Sequence, residues 1–288
     1  MKLSFPSLVA AVALAVPASA DVVVTLTGSE PEGGWVKISN PAKGVDSSTS
    51  ARFKSNKAVV SGVAETDRDF GQTFRTGDEG FVLERITVKL GDQAIAPSVF
   101  GADVSIQLFE VFGEPIINDN GTTEGKVSTW SDDPRVDDFI ESESYKPLAM
   151  ARTGRLPAYL MPGQLMVFNF RKASRVRLRP NTQYAYVFMF DSAATDRALS
   201  FATVYWSDYD GGHAIRRDSS IPKAFNQRSI SQPTTKAGTK SDVFSDAVFW
   251  VEGSDIDAEA NAVLRPDSNA VVTIDSKDPD SALPLPMK

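Results

Sequence analysis

The densest grouping of chemically capable side chains runs from Tyr205 to Asp218: Tyr-Trp-Ser-Asp-Tyr-Asp-Gly-Gly-His-Ala-Ile-Arg-Arg-Asp. It gathers aromatics, acids, two arginines and the chain's single histidine around Gly211-Gly212. A Gly-Gly pair suits a tight turn, which gathers the flanking side chains at one end of a sheet. Aromatic rings stack on the CH faces of sugars, and Arg and Asp fork hydrogen bonds to hydroxyls or carboxylates. Trp206, Asp208, Tyr209, Asp210, His213, Arg216 and Arg217 are therefore the candidate ligand-binding residues, read as a sugar-binding rim. The same residues also suit an ordinary hairpin, with a salt-bridged surface and aromatics turned into the core. His213 can serve as a general base. With Tyr209 and Arg216 it forms the candidate catalytic set, a lyase-like base beside a cation that neutralises a uronate carboxylate. A turn histidine exposed to solvent is the plainer alternative.

Two acidic groupings admit calcium, which takes hard oxygen ligands from loops. Asp132, Asp133, Asp137 and Asp138 fall in an irregular stretch, and Asp255, Asp257 and Glu259 alternate near the end of the strand pattern. Neither has EF-hand spacing, and acidic loops are commonly just solvated, so no cofactor is required. Arg175, Arg177 and Arg179 share one parity of an extended segment, a stripe that suits either an acidic polysaccharide or a solvated face paired with local carboxylates. Cysteine is absent, which excludes disulfides, thiolate nucleophiles and iron–sulfur clusters. One histidine excludes a histidine-rich zinc site, and there is neither a G-x-S-x-G elbow nor a glycine-rich phosphate loop. The many acids leave a glycosidase's carboxylate pair open. A formal charge of −7 argues against nucleic-acid binding, which needs a basic footprint.

The elements that must position these groups have period two. Ile86-Thr87-Val88-Lys89-Leu90 and Asp103 to Leu108 alternate apolar with polar residues, which predicts strands with one wet and one buried face. Further strands are expected at Val22–Thr27, Trp35–Ile38, Gln72–Phe74, Leu165–Phe170, Arg175–Leu178, Leu199–Trp206 and Ala247–Val251. Tyr184–Phe190 is apolar at both parities, as in a central strand covered on both sides. Turn chemistry at Gly33-Gly34, residues 76–80, Asn118 to Gly121 and Arg179-Pro180-Asn181 separates the runs. The expected fold is all-β, a jelly-roll-like antiparallel sandwich over residues 21–254. Residues 114–163 read as a long irregular insertion, 41–57 and 218–242 as loops, and 255–288 as a terminal extension. Weak helical signals lie at Val136–Tyr145 and Ile256–Leu264.

Residues 1–20 read as a secretory leader. Lys2 precedes the apolar run Leu8–Val16, Pro17 breaks it, and Ala18-Ser19-Ala20 fits a signal peptidase. No other apolar run reaches transmembrane length, so membrane insertion is not expected and the chain is expected to be secreted or periplasmic.

Two stretches carry a family resemblance. Gly71-Gln72-Thr73-Phe74-Arg75-Thr76-Gly77, followed by Phe81-Val82-Leu83-Glu84-Arg85-Ile86-Thr87-Val88, resembles the GQTF-x-TG opening of exported bacterial β-sandwich domains. These recur in surface proteins with varied C-terminal anchors. Tyr184-Ala185-Tyr186-Val187-Phe188, Asp210-Gly211-Gly212 and Asp246-Ala247-Val248-Phe249-Trp250 are similar, in order, to that family's later strand, Gly-Gly turn and terminal strand. The resemblance spans roughly residues 68–254. It implies a jelly-roll sandwich often associated with extracellular carbohydrate, and it carries over no catalytic residues. The chain departs from it in showing no anchor after the domain. Three functions stay open: a non-catalytic carbohydrate-binding or cell-exterior interaction protein, a secreted polysaccharide-active lyase or glycosidase, and a structural matrix protein with no small ligand.

Overall fold

The computed structural model describes residues 21–41, 47–60, 63–113, 116–118, 139–141, 143–205, 209–218, 240–242 and 245–256. Two antiparallel sheets pack face to face, as an all-β sandwich requires. The smaller sheet runs in the order β1 (Val22–Thr27), β12 (Leu165–Phe170), β7 (Phe81–Lys89), β19 (Phe249–Asp255) and β2 (Val36–Asn40), with β13 (Arg177–Leu178) paired to β7. The larger runs β11 (Ser144–Arg155), β8 (Asp103–Phe112), β14 (Gln183–Phe190), β6 (Arg68–Arg75), β3 (Ser47–Arg52), β15 (Ala198–Tyr205) and β18 (Ser245–Ala247). There β16 (Ala214–Asp218) pairs with both β6 and β17 (Lys240–Asp242). Two further antiparallel pairs are β4 (Val59–Val60) with β5 (Val63–Ala64) and β9 (Ile116–Asn118) with β10 (Phe139–Glu141). Among the described residues, no helix is long and apolar enough to cross a membrane.

Alternation explains the core. In β14, Tyr184, Tyr186, Phe188 and Phe190 point between the sheets, where Phe168, Leu83, Ile86 and Phe249 of the smaller sheet meet them. The other parity, Ala185, Val187 and Met189, joins Phe109, Val111, Tyr145 and Ile215 in a second buried cluster. The expected central strand, covered on both sides, is thus present between β8 and β6. In β7 the parity switches. Glu252 faces Arg85 but Gly253 faces Leu83, so the bulge at Glu84 lets both Leu83 and Ile86 turn inward.

The residues of the GQTF segment are construction points. A Cβ at Gly71 would run into the Tyr186 carbonyl, so glycine lets β6 and β14 approach. Gln72 Nε2 donates to Asp246 Oδ1 at 2.7 Å, and Gln72 Oε1 accepts from the Ala247 amide at 2.8 Å. Asn40 Nδ2 donates to the Ala247 carbonyl at 2.8 Å, which ties both sheets to the same short strand. Phe74 lies in the core with its ring 6.0 Å from that of Tyr184.

Several expectations require correction. The stretch 114–163 contains β11, a strand paired along β8 through two irregularities, so only part of it interrupts the sheets. Val136–Tyr145 is not helical where described: Phe139–Glu141 and the start of β11 are extended. Of Ile256–Leu264 only Ile256 is described. The loop expected at 41–57 contains β3, and that at 218–242 contains β17. Arg175–Leu178 is not one strand. A 3-10 turn, Lys172–Ser174, precedes it, and only Arg177–Leu178 pairs.

Candidate functional site

Among the described residues around Gly211-Gly212, none forms an exposed aromatic rim. Tyr209 is partly buried, and its ring stands edge-on to Phe249 with centroids 5.4 Å apart. Burial raises its hydroxyl pKa, and a backbone hydrogen bond from Arg75 partly offsets this. Asp210 is exposed. A side chain at Gly212 would strike Thr73, so the turn lies flat on β6. Arg216 and Arg217 stand in β16 opposite Phe70 and Asp69. Trp206 and Asp208 lie outside the described residues, as do Asp132, Asp133, Asp137 and Asp138, and Asp257 and Glu259. Asp255 pairs with Lys37 at 2.6 Å. Among the described residues, no group of three or more His, Asp or Glu is placed to hold a metal ion.

His213 is buried at 5 % exposure, and its partners come from elsewhere in the chain. Its Nε2 lies 3.2 Å from Glu143 Oε2, and its Nδ1 lies 3.4 Å from Thr73 Oγ1. The Tyr145 hydroxyl donates to the same Glu143 oxygen at 2.7 Å. Burial, with the Glu143 charge beside it, holds the Tyr145 hydroxyl well above the usual phenol range. The His213 amide donates to Thr73 Oγ1 at 2.8 Å, so the third GQTF residue fixes the turn. Glu143, Tyr145 and Thr73, which the sequence did not single out, thus lie around the imidazole, and the Arg216 side chain lies outside what the structure describes. With Glu143 and Tyr145 each at 2 % exposure, this is a closed polar network. Replacing Glu143 with Ala strands two buried donors and should lower stability by about 2–4 kcal/mol in urea unfolding. Glu143→Gln keeps an acceptor and should cost less.

The basic stripe is also dispersed. Arg175 Nη1 pairs with Glu84 Oε1 at 3.0 Å, and Arg179 pairs with Glu110. Arg177, on β13, and Arg179 are both exposed, and Arg175 is half-buried.

An open groove lies on the outer face of the smaller sheet. About 520 Å³ in volume, it is floored by β1, β12, β7 and β19. Cross-strand register builds the floor: Thr25 faces Val167, which faces Thr87, while Asn169 faces Arg85, which faces Glu252. These are the outward parities of the strands: Thr25 is exposed and Asn169 half-buried, while Thr87, Val167 and Glu252 are covered. Asn169 Nδ2 donates to Thr25 Oγ1 at 3.0 Å and to the Val23 carbonyl at 3.2 Å. Thr87 Oγ1 donates to Glu252 Oε2 at 3.3 Å, and Arg85 Nη1 lies 3.5 Å from Glu252 Oε1. The floor's polar groups are therefore held before any ligand arrives.

Residues between β1 and β2 form the wall. Ser29, Glu30, Pro31 and Glu32 line the groove. Gly33, at φ 89°, turns the chain back, and its carbonyl accepts from the Val36 amide at 3.1 Å. Trp35 follows, 58 % exposed, and its carbonyl accepts from the Gly253 amide, the residue after Glu252. Sequence reasoning found the strands and the Gly33-Gly34 turn but did not single out this set, whose members are spread from residue 25 to residue 252. The recoverable signal was Thr25 and Thr27 on β1, Arg85 and Thr87 on β7 and Asn169 on β12, polar residues at outward positions. No family model matches the chain, and no curated protein or solved structure matches it, so the reading of this groove rests on its own chemistry.

Proposed function

We propose that the protein is a non-catalytic binder of extracellular carbohydrate, and that the ligand lies in the groove on the outer face of the smaller sheet. The observation that supports this is the lining itself: threonine hydroxyls, an asparagine amide, a guanidinium and carboxylates arrayed over a sheet. A sugar offers alternating donors and acceptors around a CH-bearing ring, and such a surface answers it without having to reorganise. Val167 supplies an apolar patch on the floor. Trp35, three residues beyond Glu32 and mostly exposed, is not part of the lining but is the residue type that stacks on sugar rings at a groove's edge. The leader-like residues 1–20 and the resemblance to exported sandwich domains support a location outside the cytoplasm, secreted or periplasmic. Binding is favoured over lyase or glycosidase chemistry because the single histidine is enclosed and Glu252 is committed to Arg85 and Thr87.

A glycan-array screen followed by calorimetry tests this reading. Trp35→Ala and Asn169→Ala should each weaken binding by about tenfold or more, as truncation at a binding hot spot does. Both should leave the unfolding midpoint near that of the parent, since Trp35 is exposed and Asn169 is on the open face. A folded protein that binds no glycan would overturn the proposal.

A further inference from the structure

The charge of the groove narrows the ligand further, on the assumption that the groove binds glycan at all. Its lining holds three carboxylates, Glu30, Glu32 and Glu252, against one guanidinium, Arg85. Arg85 is already paired with Glu252 at 3.5 Å, so the floor is near neutrality. Glu30 and Glu32 are exposed on the wall and have no cationic partner among the described residues. Lys89, one row further along the sheet, is not part of the lining. The chain's overall charge of −7 has the same sign as the wall. An acidic polysaccharide would thus meet two uncompensated like charges, and a cation would meet two unpaired acceptors.

We infer that the groove selects a glycan bearing free amino groups, a de-N-acetylated hexosamine oligomer, with its ammonium groups against Glu30 and Glu32 and its hydroxyls on the Thr25 and Asn169 floor. An N-acetyl group on the same nitrogen removes the positive charge and adds bulk at the wall. A uronate reverses the sign of the interaction.

The test is calorimetric titration of the purified protein at low salt with three oligosaccharide sets of equal length: de-N-acetylated hexosamine, its N-acetylated form and a uronate. The amine-bearing oligomer should bind about tenfold more tightly than the acetylated one, the sum expected of two exposed ion pairs. That preference should shrink in concentrated salt and vanish in the E30Q/E32Q double variant, whose folding is checked by its unfolding midpoint. Equal binding of the two hexosamine forms, or tighter binding of the uronate, would overturn this inference and leave the groove a glycan site. Persistence of the preference in the double variant would overturn it too. Failure of all three sets to bind, together with an empty glycan array, would remove the glycan reading itself.

Discussion

Above about pH 10, the protein is expected to lose stability at about 4 kcal/mol for each further pH unit, provided that three phenols act together. Burial raises the hydroxyl pKa values of Tyr145, Tyr186 and Tyr209. The adjacent Glu143 adds to this for Tyr145, and Tyr209 and Asp246 add to it for Tyr186. In the unfolded chain each ionises near pH 10. Between that value and the folded pKa, the native state holds a proton that the unfolded state has released, so stability falls as pH rises. The contribution is intact below about pH 10, and each group adds about 1.4 kcal/mol per unit to the slope above it. Urea unfolding at a series of alkaline pH values measures the slope, and tyrosinate absorbance shows whether these phenols ionise only on unfolding. Tyr145→Phe should remove about a third of the slope. A stability flat across this range would mean that water reaches the hydroxyls in the native state.

Phe188→Ala is expected to destabilise the fold by about 3–5 kcal/mol, the range for deleting a buried aromatic ring. Phe188 is 1 % exposed and sits where the sheets meet. Its ring centroid lies 5.8 Å from that of Phe168 on the smaller sheet, and 5.2 Å and 5.1 Å from those of Phe190 and Phe201 on the larger. The void would be walled by rings from both layers, none of which can close it without moving its own strand. Denaturant titration should show a lower midpoint. Phe188→Leu, which retains much of the volume, should cost less. A loss below about 1 kcal/mol would mean that the two layers pack loosely at this point.

The strands that sequence made legible were those whose inward residues are apolar at every second position. β1 and β12 fall where the pattern placed them, and the doubly apolar β14 is central. β3 escaped because its sequence is Ser-Ser-Thr-Ser-Ala-Arg: its place comes from backbone pairing along β15, and among its described side chains only Ala51 is fully buried. β11 escaped because its irregularities between Pro147 and Ala149 and between Ala151 and Gly154 break the alternation. The candidate site was less legible than the fold. Tyr209 and His213 are close in sequence, but nothing local says that one ring meets Phe249 while the other meets Glu143. The groove poses the opposite problem, since its floor is composed by register across four strands, and register is a long-range property.

The position of β19 has a consequence for synthesis. Phe249–Asp255 lies between β7 and β2, inside the smaller sheet, although it is the last strand of the described chain. Until it emerges, β2 has no neighbour on which to form its ladder, and the inner faces of β7 and β14 lack the Phe249 and Val251 that cover them. Closure of the sandwich must therefore wait until Asp255 has left the ribosome, and pairing at such sequence distance is intrinsically slow. A nascent chain of this kind stays open to chaperones for as long as β19 is missing.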